Sequence, residues 1–454
     1  MASLNLRHLR DNLRAARKEL RNEFGAELEE KASDDFSLAL YARNAKEDAF
    51  QFEVAPPQVP AVISFCGESF SSSNDDILIR VGSRERRKLI NQARKRAYKA
   101  MSAIYTEVDR QHQRSIVSAN PSIAIQESLG TSQPVKESQL CWLNRTIETI
   151  VEPSVIAEVA CDGNVVAVDL PGRIILDVHS PNHIAVGCRP PIGHDTGCTG
   201  EGVLVGVVDT EVAFQHPALR DHAFPHKDLT REGWGNPHFH GTAVAGIIGS
   251  CDGTYAGISP GVDIYNYKIS PHGSDISGAL AIERAVEDDV HIVNASWRVS
   301  TRAVERTVSA VEEAWALGLV VVKSAGNEGP KKASITPPGE ASGVIVVGAT
   351  DVHGRQVEEY SSRGPVKGKP GPDLVAPGGS SAARLDCCLV GGGFGDAGWG
   401  TSYAAPHVTG LVALLIEQDP NLSPDQLRSR IRDLAETLPS DEPQAQGMGI
   451  MRFP

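Results

Sequence analysis

Four residues of this chain could together carry out acyl transfer: Asp209, His240, Asn327 and Ser402. The chemistry needs a nucleophile, a base, a group to orient the base, and a donor for the developing oxyanion. Ser402 lies in Gly400-Thr401-Ser402-Tyr403-Ala404-Ala405-Pro406-His407-Val408-Thr409-Gly410, with an apolar run, 411–416, directly behind it. A Gly/Thr turn leading into small and apolar residues places a hydroxyl at the start of a buried helix. There, free N–H groups and the helix dipole favour an anion. The ordinary structural reading is a helix cap. Asp209 follows an apolar run, 203–208, and could cap a turn. His240 opens the small-residue stretch Phe239-His240-Gly241-Thr242-Ala243-Val244-Ala245-Gly246. Asn327, in Ser324-Ala325-Gly326-Asn327-Glu328-Gly329, could be a turn residue. Each ordinary reading is sound alone. All four at strand ends or helix starts of one region favour the catalytic reading.

The elements that would position these residues begin near Gly200. From there short apolar strand patterns (204–208, 263–269, 291–294, 319–322, 343–347) alternate with helical ones (244–248, 277–288, 301–316). That alternation predicts an α/β fold with a doubly wound, mostly parallel sheet, whose ligand site lies beyond the C-terminal strand ends. Upstream, residues 61–175 read as a separate α+β unit. A strand is expected at 77–81, a charged helix over 83–111, a hairpin within 123–151, a helix over 153–160 and a strand over 165–169. This β-α-β-β-α-β order suggests a ferredoxin-like fold. Ala55-Pro56-Pro57-Gln58-Val59-Pro60 reads as a linker. Before it, residues 1–55 form a helical extension: Leu6, Leu9, Leu13, Ala16, Leu20 and Phe24 recur at three- and four-residue steps. This helix docks on the rest of the chain or on a protein partner.

The 454 residues suffice for two or three domains, and the net charge of −13 argues against nucleic acid as a partner. The first residues mix Arg, Lys and Glu without an apolar segment, so no secretory signal or membrane span is expected, and no membrane partner. Eight scattered cysteines without a Cys-x-x-Cys pair suggest neither a zinc site nor a disulfide framework, consistent with a cytoplasmic protein.

Three blocks resemble the signatures of subtilisin-like serine peptidases, in that family's order: Val208-Asp209-Thr210, His240-Gly241-Thr242-Ala243-Val244-Ala245-Gly246, and Gly400-Thr401-Ser402-Tyr403-Ala404-Ala405-Pro406-His407. Ser324-Ala325-Gly326-Asn327, Tyr360-Ser361-Ser362-Arg363-Gly364-Pro365 and Val375-Ala376-Pro377-Gly378 are similar to further blocks. The resemblance implies a serine endopeptidase over residues 176–454, with Ser402 as nucleophile, His240 as base, Asp209 as its orienting acid and Asn327 in the oxyanion hole. It implies protein or peptide substrates and no metal in the chemistry. Many relatives carry structural calcium, but no oxygen-ligand cluster here names a site. It also implies that the 61–175 unit is an inhibitory prodomain acting in cis, with self-cleavage between residues 170 and 185. Relatives pair substrate with a Ser-Leu-Gly-Gly segment; here Ser296-Trp297-Arg298-Val299 takes its place, and Ser324, Ala325 and Gly326 complete the substrate-binding set. Trp297 and Arg298 are expected to narrow or recharge the cleft toward acidic or small side chains, and Glu211, where a glycine is usual, to alter its entrance. The competing readings are a latent or non-catalytic relative acting as a regulated binding module, and the sedolisin branch. Sedolisins carry Glu where this chain has His240.

Overall fold

The computed structural model describes residues 197–299, 304–439 and 442–452, and before them 16–18, 20–22, 26–33, 36, 59–65, 81–118, 138–151, 153–169, 171–172 and 174–176. The chain divides into two units, one of residues 1–68 and 92–172, the other of residues 69–91 and 173–454.

In the first unit the order is α1 (Ala26–Lys31), β1 (Val59–Phe65), α2 (Arg84–Ser118, whose first turns group with the second unit), β2 (Gln139–Cys141), β3 (Thr146–Val151), α3 (Pro153–Ala160) and β4 (Val165–Asp169). The strands form an antiparallel sheet in the order β2-β3-β1-β4. The expected hairpin, α3 and β4 are present. The first strand is not at 77–81, where residues 77–80 lie outside the described residues and Val81 is in a turn. It is β1, which begins inside the stretch read as a linker. Pro60 is tolerated there because proline lacks only a donor, and its carbonyl remains free to pair. α2 starts as expected, with Ser83 Oγ accepting from the Arg86 N–H at 3.1 Å. Of the N-terminal helical pattern, Ala16 and Leu20 are buried, while Leu6, Leu9, Leu13 and Phe24 lie outside the described residues. α1 packs on α3 and β4. Its Lys31 Nζ donates to the carbonyls of Ala160 (2.5 Å) and Asp162 (2.9 Å), a cation where the α3 dipole is negative.

The second unit is built on a seven-stranded parallel sheet, ordered β13-β12-β11-β9-β6-β8-β7. Its strands are β6 (Leu204–Asp209), β7 (Ala223–Asp228), β8 (Asp263–Lys268), β9 (Ile292–Ala295), β11 (Val320–Ser324), β12 (Ile345–Thr350) and β13 (Leu374–Pro377). Helices α4 (Phe239–Gly249) and α7 (Thr401–Gln418) pack together, and α7 crosses β9, β11, β12 and β13. Alternate strand residues, such as Val205, Val207, Val320 and Val322, join Val244, Ala245, Leu411 and Val412 in one core. The pleat turns the residues between them toward α5 (Asp275–Glu287) and α6 (Val304–Ala316), which pack on each other, on β6 and on β11. Both faces are thus covered, which is why these strands read as unbroken apolar runs. The exception is the edge strand β7, where Phe224, Pro225, His226 and Lys227 are exposed. Proline and charge are the usual protection of a free edge, and they hid this strand from the apolar pattern. α5 begins at Asp275 rather than 277 because Ser274 and Ser277 cap it reciprocally.

Two shorter antiparallel pairs complete the unit: β14 (Asp386–Cys388) with β15 (Phe394–Asp396), and β5 (Ile174–Leu176) with β10 (Trp297–Val299). α8 (Pro424–Asp433) and α9 (Pro443–Gln446) follow α7. Buried Arg86 ties the first turn of α2 to this unit, bonding Leu317 O (2.7 Å) and Asp289 (2.7 Å).

Candidate active site

Asp209 is the last residue of β6 and His240 the second of α4, both fully buried. His240 Nδ1 donates to Asp209 Oδ1 at 2.6 Å. A carboxylate only accepts, so the ring proton sits on Nδ1 and Nε2 is left as the basic lone pair. Nε2 has no hydrogen-bond partner. Thr210 clamps the pair from the side. Its N–H (2.7 Å) and hydroxyl (3.2 Å) donate to Asp209 Oδ1, and its hydroxyl accepts from the Gly241 N–H (2.9 Å). A Cβ at position 241 would meet Thr210 O at 2.6 Å, so only glycine lets α4 approach the end of β6 this closely. His238 caps α4, its Nδ1 accepting from the His240 N–H at 3.2 Å. Burial holds the His238 pKa below the ordinary histidine value, with the neighbouring His240 adding to the effect and Asp209 opposing it.

Ser402 is the second residue of α7, and the helix-cap reading does not hold for it. The N-cap is Gly400, at φ 155°, and no side chain caps this helix. Instead the Thr401 N–H (3.0 Å) and hydroxyl (2.9 Å) both donate to Asn327 Oδ1, while Thr401 Oγ1 accepts from the Gly326 N–H (3.1 Å). The amide oxygen of Asn327 is committed to the helix start, which leaves its NH₂ as the outward donor. Proline at 406 removes the N–H that would bond the carbonyl four residues back, that of Ser402. Ser296 Oγ takes its place, donating to Ser402 O at 2.8 Å, and Ser402 Oγ donates in return to Ser296 O at 3.0 Å. The serine hydroxyl therefore rests on the 296 carbonyl and not on His240 Nε2. The four residues come from the end of β6, the start of α4, the turn after β11 and the start of α7.

The substrate-binding candidates divide. Ser296 belongs to the serine's own surroundings. β10 pairs through its backbone with β5, but the Trp297 ring is fully buried, and a Cβ at Gly278 of α5 would meet it at 2.8 Å. It fills the core behind the strand instead of narrowing the cleft. Arg298 pairs with Glu328 at 2.6 Å. Ser324 and Ala325 are buried, and Ala325 bonds Val347 O and the Thr336 N–H. Gly326, at φ +104°, sits where a Cβ would meet Thr336 at 2.5 Å. This trio supports Asn327 from behind.

Glu211 is likewise not at the entrance. It is buried, accepts from the Gly235 N–H (2.6 Å) and pairs with buried Lys268 (3.2 Å). A buried carboxylate needs such a partner, and this one fastens the loop leading into α4. Sequence reasoning did not single out Thr401, Lys268 or Glu328. Thr401 lies next to Ser402 in the stretch 400–410, but nothing local distinguishes a clamp from a spacer. Among the described residues no group of three or more His, Cys, Asp or Glu could hold a metal ion. The calcium that the resemblance allows finds no carboxylate set there.

Residues 200–449 match the model of the subtilase family, Peptidase_S8. The chain is 31% identical over 292 residues to the serine protease AprX of Bacillus subtilis (strain 168), an alignment covering 56% of this chain and 65% of that protein. It is 31% identical over 278 residues to subtilisin Savinase of Lederbergia lenta, covering 57% of this chain and 93% of the relative. Among solved structures, a psychrophilic protease superposes with a TM-score of 0.50 at 27% identity, over 59% of this chain and 99% of its own. Fervidolysin from Fervidobacterium pennivorans, described as a keratinolytic enzyme related to subtilisin, superposes with a TM-score of 0.58 at 20% identity, over 89% of this chain and 61% of its own. At that identity it speaks for the fold alone.

Proposed function

From the premise that this chain belongs to the subtilase family, and that residues 200–449 form a subtilisin-like serine endopeptidase domain, we propose that Ser402, His240, Asp209 and Asn327 carry the reaction. Ser402 Oγ attacks the carbonyl of a peptide bond. His240 Nε2 takes the serine proton and later gives it to the leaving amine. Asp209 holds the imidazole with its proton on Nδ1 and offsets the charge it gains. The Asn327 NH₂ and the Ser402 backbone N–H receive the oxyanion. The observation that carries this reading is the fully buried Asp209–His240 pair at 2.6 Å, with Nε2 unpartnered. Such a base is orientated but not yet used.

Substrate enters as a strand. β10 already accepts an antiparallel neighbour, and backbone pairing needs only N–H and C=O groups from the substrate. That neighbour, β5, lies just after the first unit in sequence. The reading that follows is a zymogen: the upstream α+β unit acts in cis as an inhibitory prodomain, leaves a product-like strand on β10, and is released after self-cleavage between residues 170 and 185. The pairing of β5 with β10 supports it.

Ser402→Ala is expected to abolish peptide hydrolysis and labelling by a fluorophosphonate. Turnover that survives in this variant would remove Ser402 from the mechanism. The second reading, a latent relative that binds peptides without cutting them, is favoured by the Ser402 hydroxyl resting on Ser296 O. It predicts peptide binding with no fluorophosphonate labelling of the wild-type chain.

A further inference from the structure

The strand beside the one that carries Asp209 ends on a buried cation. In the parallel pairing of β6 with β8, Asp209 stands opposite Lys268, and the Ile269 N–H donates to the Asp209 carbonyl at 2.8 Å. Residues in register on neighbouring strands point to one face, and such strands lie about 4.8 Å apart. Lys268 therefore leaves the sheet on the face where Asp209 meets His240. Its side chain is 2% exposed and that of Glu211 3%, and the two form an ion pair at 3.2 Å. Lys268 Nζ also donates to Gly233 O at 2.8 Å, with Glu232 a more distant carboxylate at 3.8 Å. Glu211 reaches the same loop twice. Its Oε1 accepts from the Gly235 N–H at 2.6 Å, and its carbonyl accepts from the His238 N–H at 2.9 Å. His238 in turn caps α4, the helix that presents His240. The pair thus holds the segment 233–238 at three points, from a place directly beside Asp209.

A buried ion pair contributes little stability beyond an apolar pair of the same volume, so stability alone does not account for this one. An ammonium left alone here would oppose a positive charge on the nearby imidazole. That charged form is the one His240 enters when it takes the serine proton. We propose that Glu211 and Lys268 are positioning residues for the Asp209–His240 pair. Together they fix the loop leading into α4, and Glu211 neutralises Lys268 so that Asp209 governs the imidazole. The proposal rests on the serine-endopeptidase reading above, and neither side chain touches substrate in it. Around the ion pair stand Glu232 and, 3.4 Å from Glu232, His272. The Asp228 carboxylate is committed to the loop's own turn, accepting from the N–H groups of Thr230, Arg231 and Gly233. Facing His240 itself are Asp209, His238 and Tyr403, the last held neutral by burial. These groups are the same in every variant below except where one is replaced.

The test is the pH dependence of kcat/KM for peptide hydrolysis by the full-length chain, whose acid limb follows protonation of the base. Glu211→Gln leaves Lys268 uncompensated and should move that limb roughly one unit to lower pH. Lys268→Met leaves Glu211 uncompensated and should move it about as far to higher pH. Each should lower kcat by roughly 10- to 100-fold with KM nearly unchanged, because the misplaced group acts in the chemical step. Glu211→Gln combined with Lys268→Met removes both charges at similar volume and should return the limb to its wild-type position. A role confined to packing predicts losses without these opposite shifts. Glu232→Gln takes a carboxylate from the partly exposed side of Lys268 without opening the core. It should move the limb in the direction of Glu211→Gln by a smaller step, and it decides the matter if the buried variants do not fold. An acid limb that stays in place in Glu232→Gln and in the other variants that fold, or shifts of one sign on loss of either charge, would overturn this inference alone. An absence of hydrolysis and fluorophosphonate labelling in the wild-type chain would overturn the endopeptidase reading with it.

Discussion

Two of the buried histidines of the second unit, His240 at 0% and His407 at 4% exposure, have surroundings that suit them to opposite tasks. His240 Nδ1 donates to the Asp209 carboxylate, whereas His407 Nδ1 donates to the carbonyl of Tyr403 at 2.7 Å, one turn back in α7. Both bonds settle the tautomer. Only the first also offers a full negative charge to an imidazole that becomes protonated. Without one, burial pushes the His407 pKa down to about 4, against a weaker opposing pull from the Tyr403 carbonyl. His407 is therefore a neutral member of the core, packed into the helix that carries Ser402. Burial alone does not make a histidine a base; an anion at hydrogen-bonding distance does.

The largest expected effect comes from making the first site resemble the second. Asp209→Asn keeps the size and removes the charge, and should lower kcat on the order of 10⁴-fold with the fold intact, by loss of tautomer control and charge stabilisation. Steady-state kinetics beside circular dichroism would check it, and a loss of only a few-fold would place the orienting charge elsewhere. Asn327→Ala should cost about 2.7–4 kcal/mol of barrier, seen in kcat and not in KM, because the lost donor acts only on the oxyanion. A change confined to KM would make Asn327 a substrate contact instead.

His407 should be silent in catalysis and visible in stability. Its folded pKa is depressed, so the unfolded chain binds the proton first. Stability falls as pH drops below 6.5, the ordinary value, and levels off below about 4. That shift is worth on the order of 3 kcal/mol. Denaturant unfolding of His407→Gln should show a flatter pH dependence across that window. An unchanged slope would mean that other groups govern acid sensitivity. The smallest effect belongs to His238, whose ring nitrogen caps α4. His238→Ala should cost about 1 kcal/mol and His238→Asn almost nothing, since asparagine also caps. In the wild type this cap should be lost at low pH, when protonation of Nδ1 removes the acceptor. Equal stability of the two variants would show that the ring's packing matters more than its cap.

Much of the second unit was legible from its residues. β6, β9, β11 and β12 are buried on both faces and so appear as continuous apolar runs, and Asp209 and Asn327 stand just past two of them, while His240 and Ser402 open helices. β7 was not legible, because an edge strand carries the proline and charges that usually mark loops. In the first unit, β1 was obscured by the prolines at its start. The size of Trp297 and the charge of Glu211 are unusual for their positions and point to the cleft, yet both side chains are interior. Which way a side chain faces depends on which partners, Gly278 or Lys268, fold against it from distant parts of the chain.

What the sequence determined by itself was the set of reacting groups, their order along the chain and the periodicities that put them at element ends, since residue type and spacing are local properties. The tertiary structure decided how those groups meet. Thr401 holds Asn327 by its oxygen, Ser296 holds the serine hydroxyl away from His240, and β10 is already paired with a strand from upstream. Those are contacts between residues as much as 125 positions apart, as between Ile174 and Val299, and only the closing of the fold brings them within hydrogen-bonding distance.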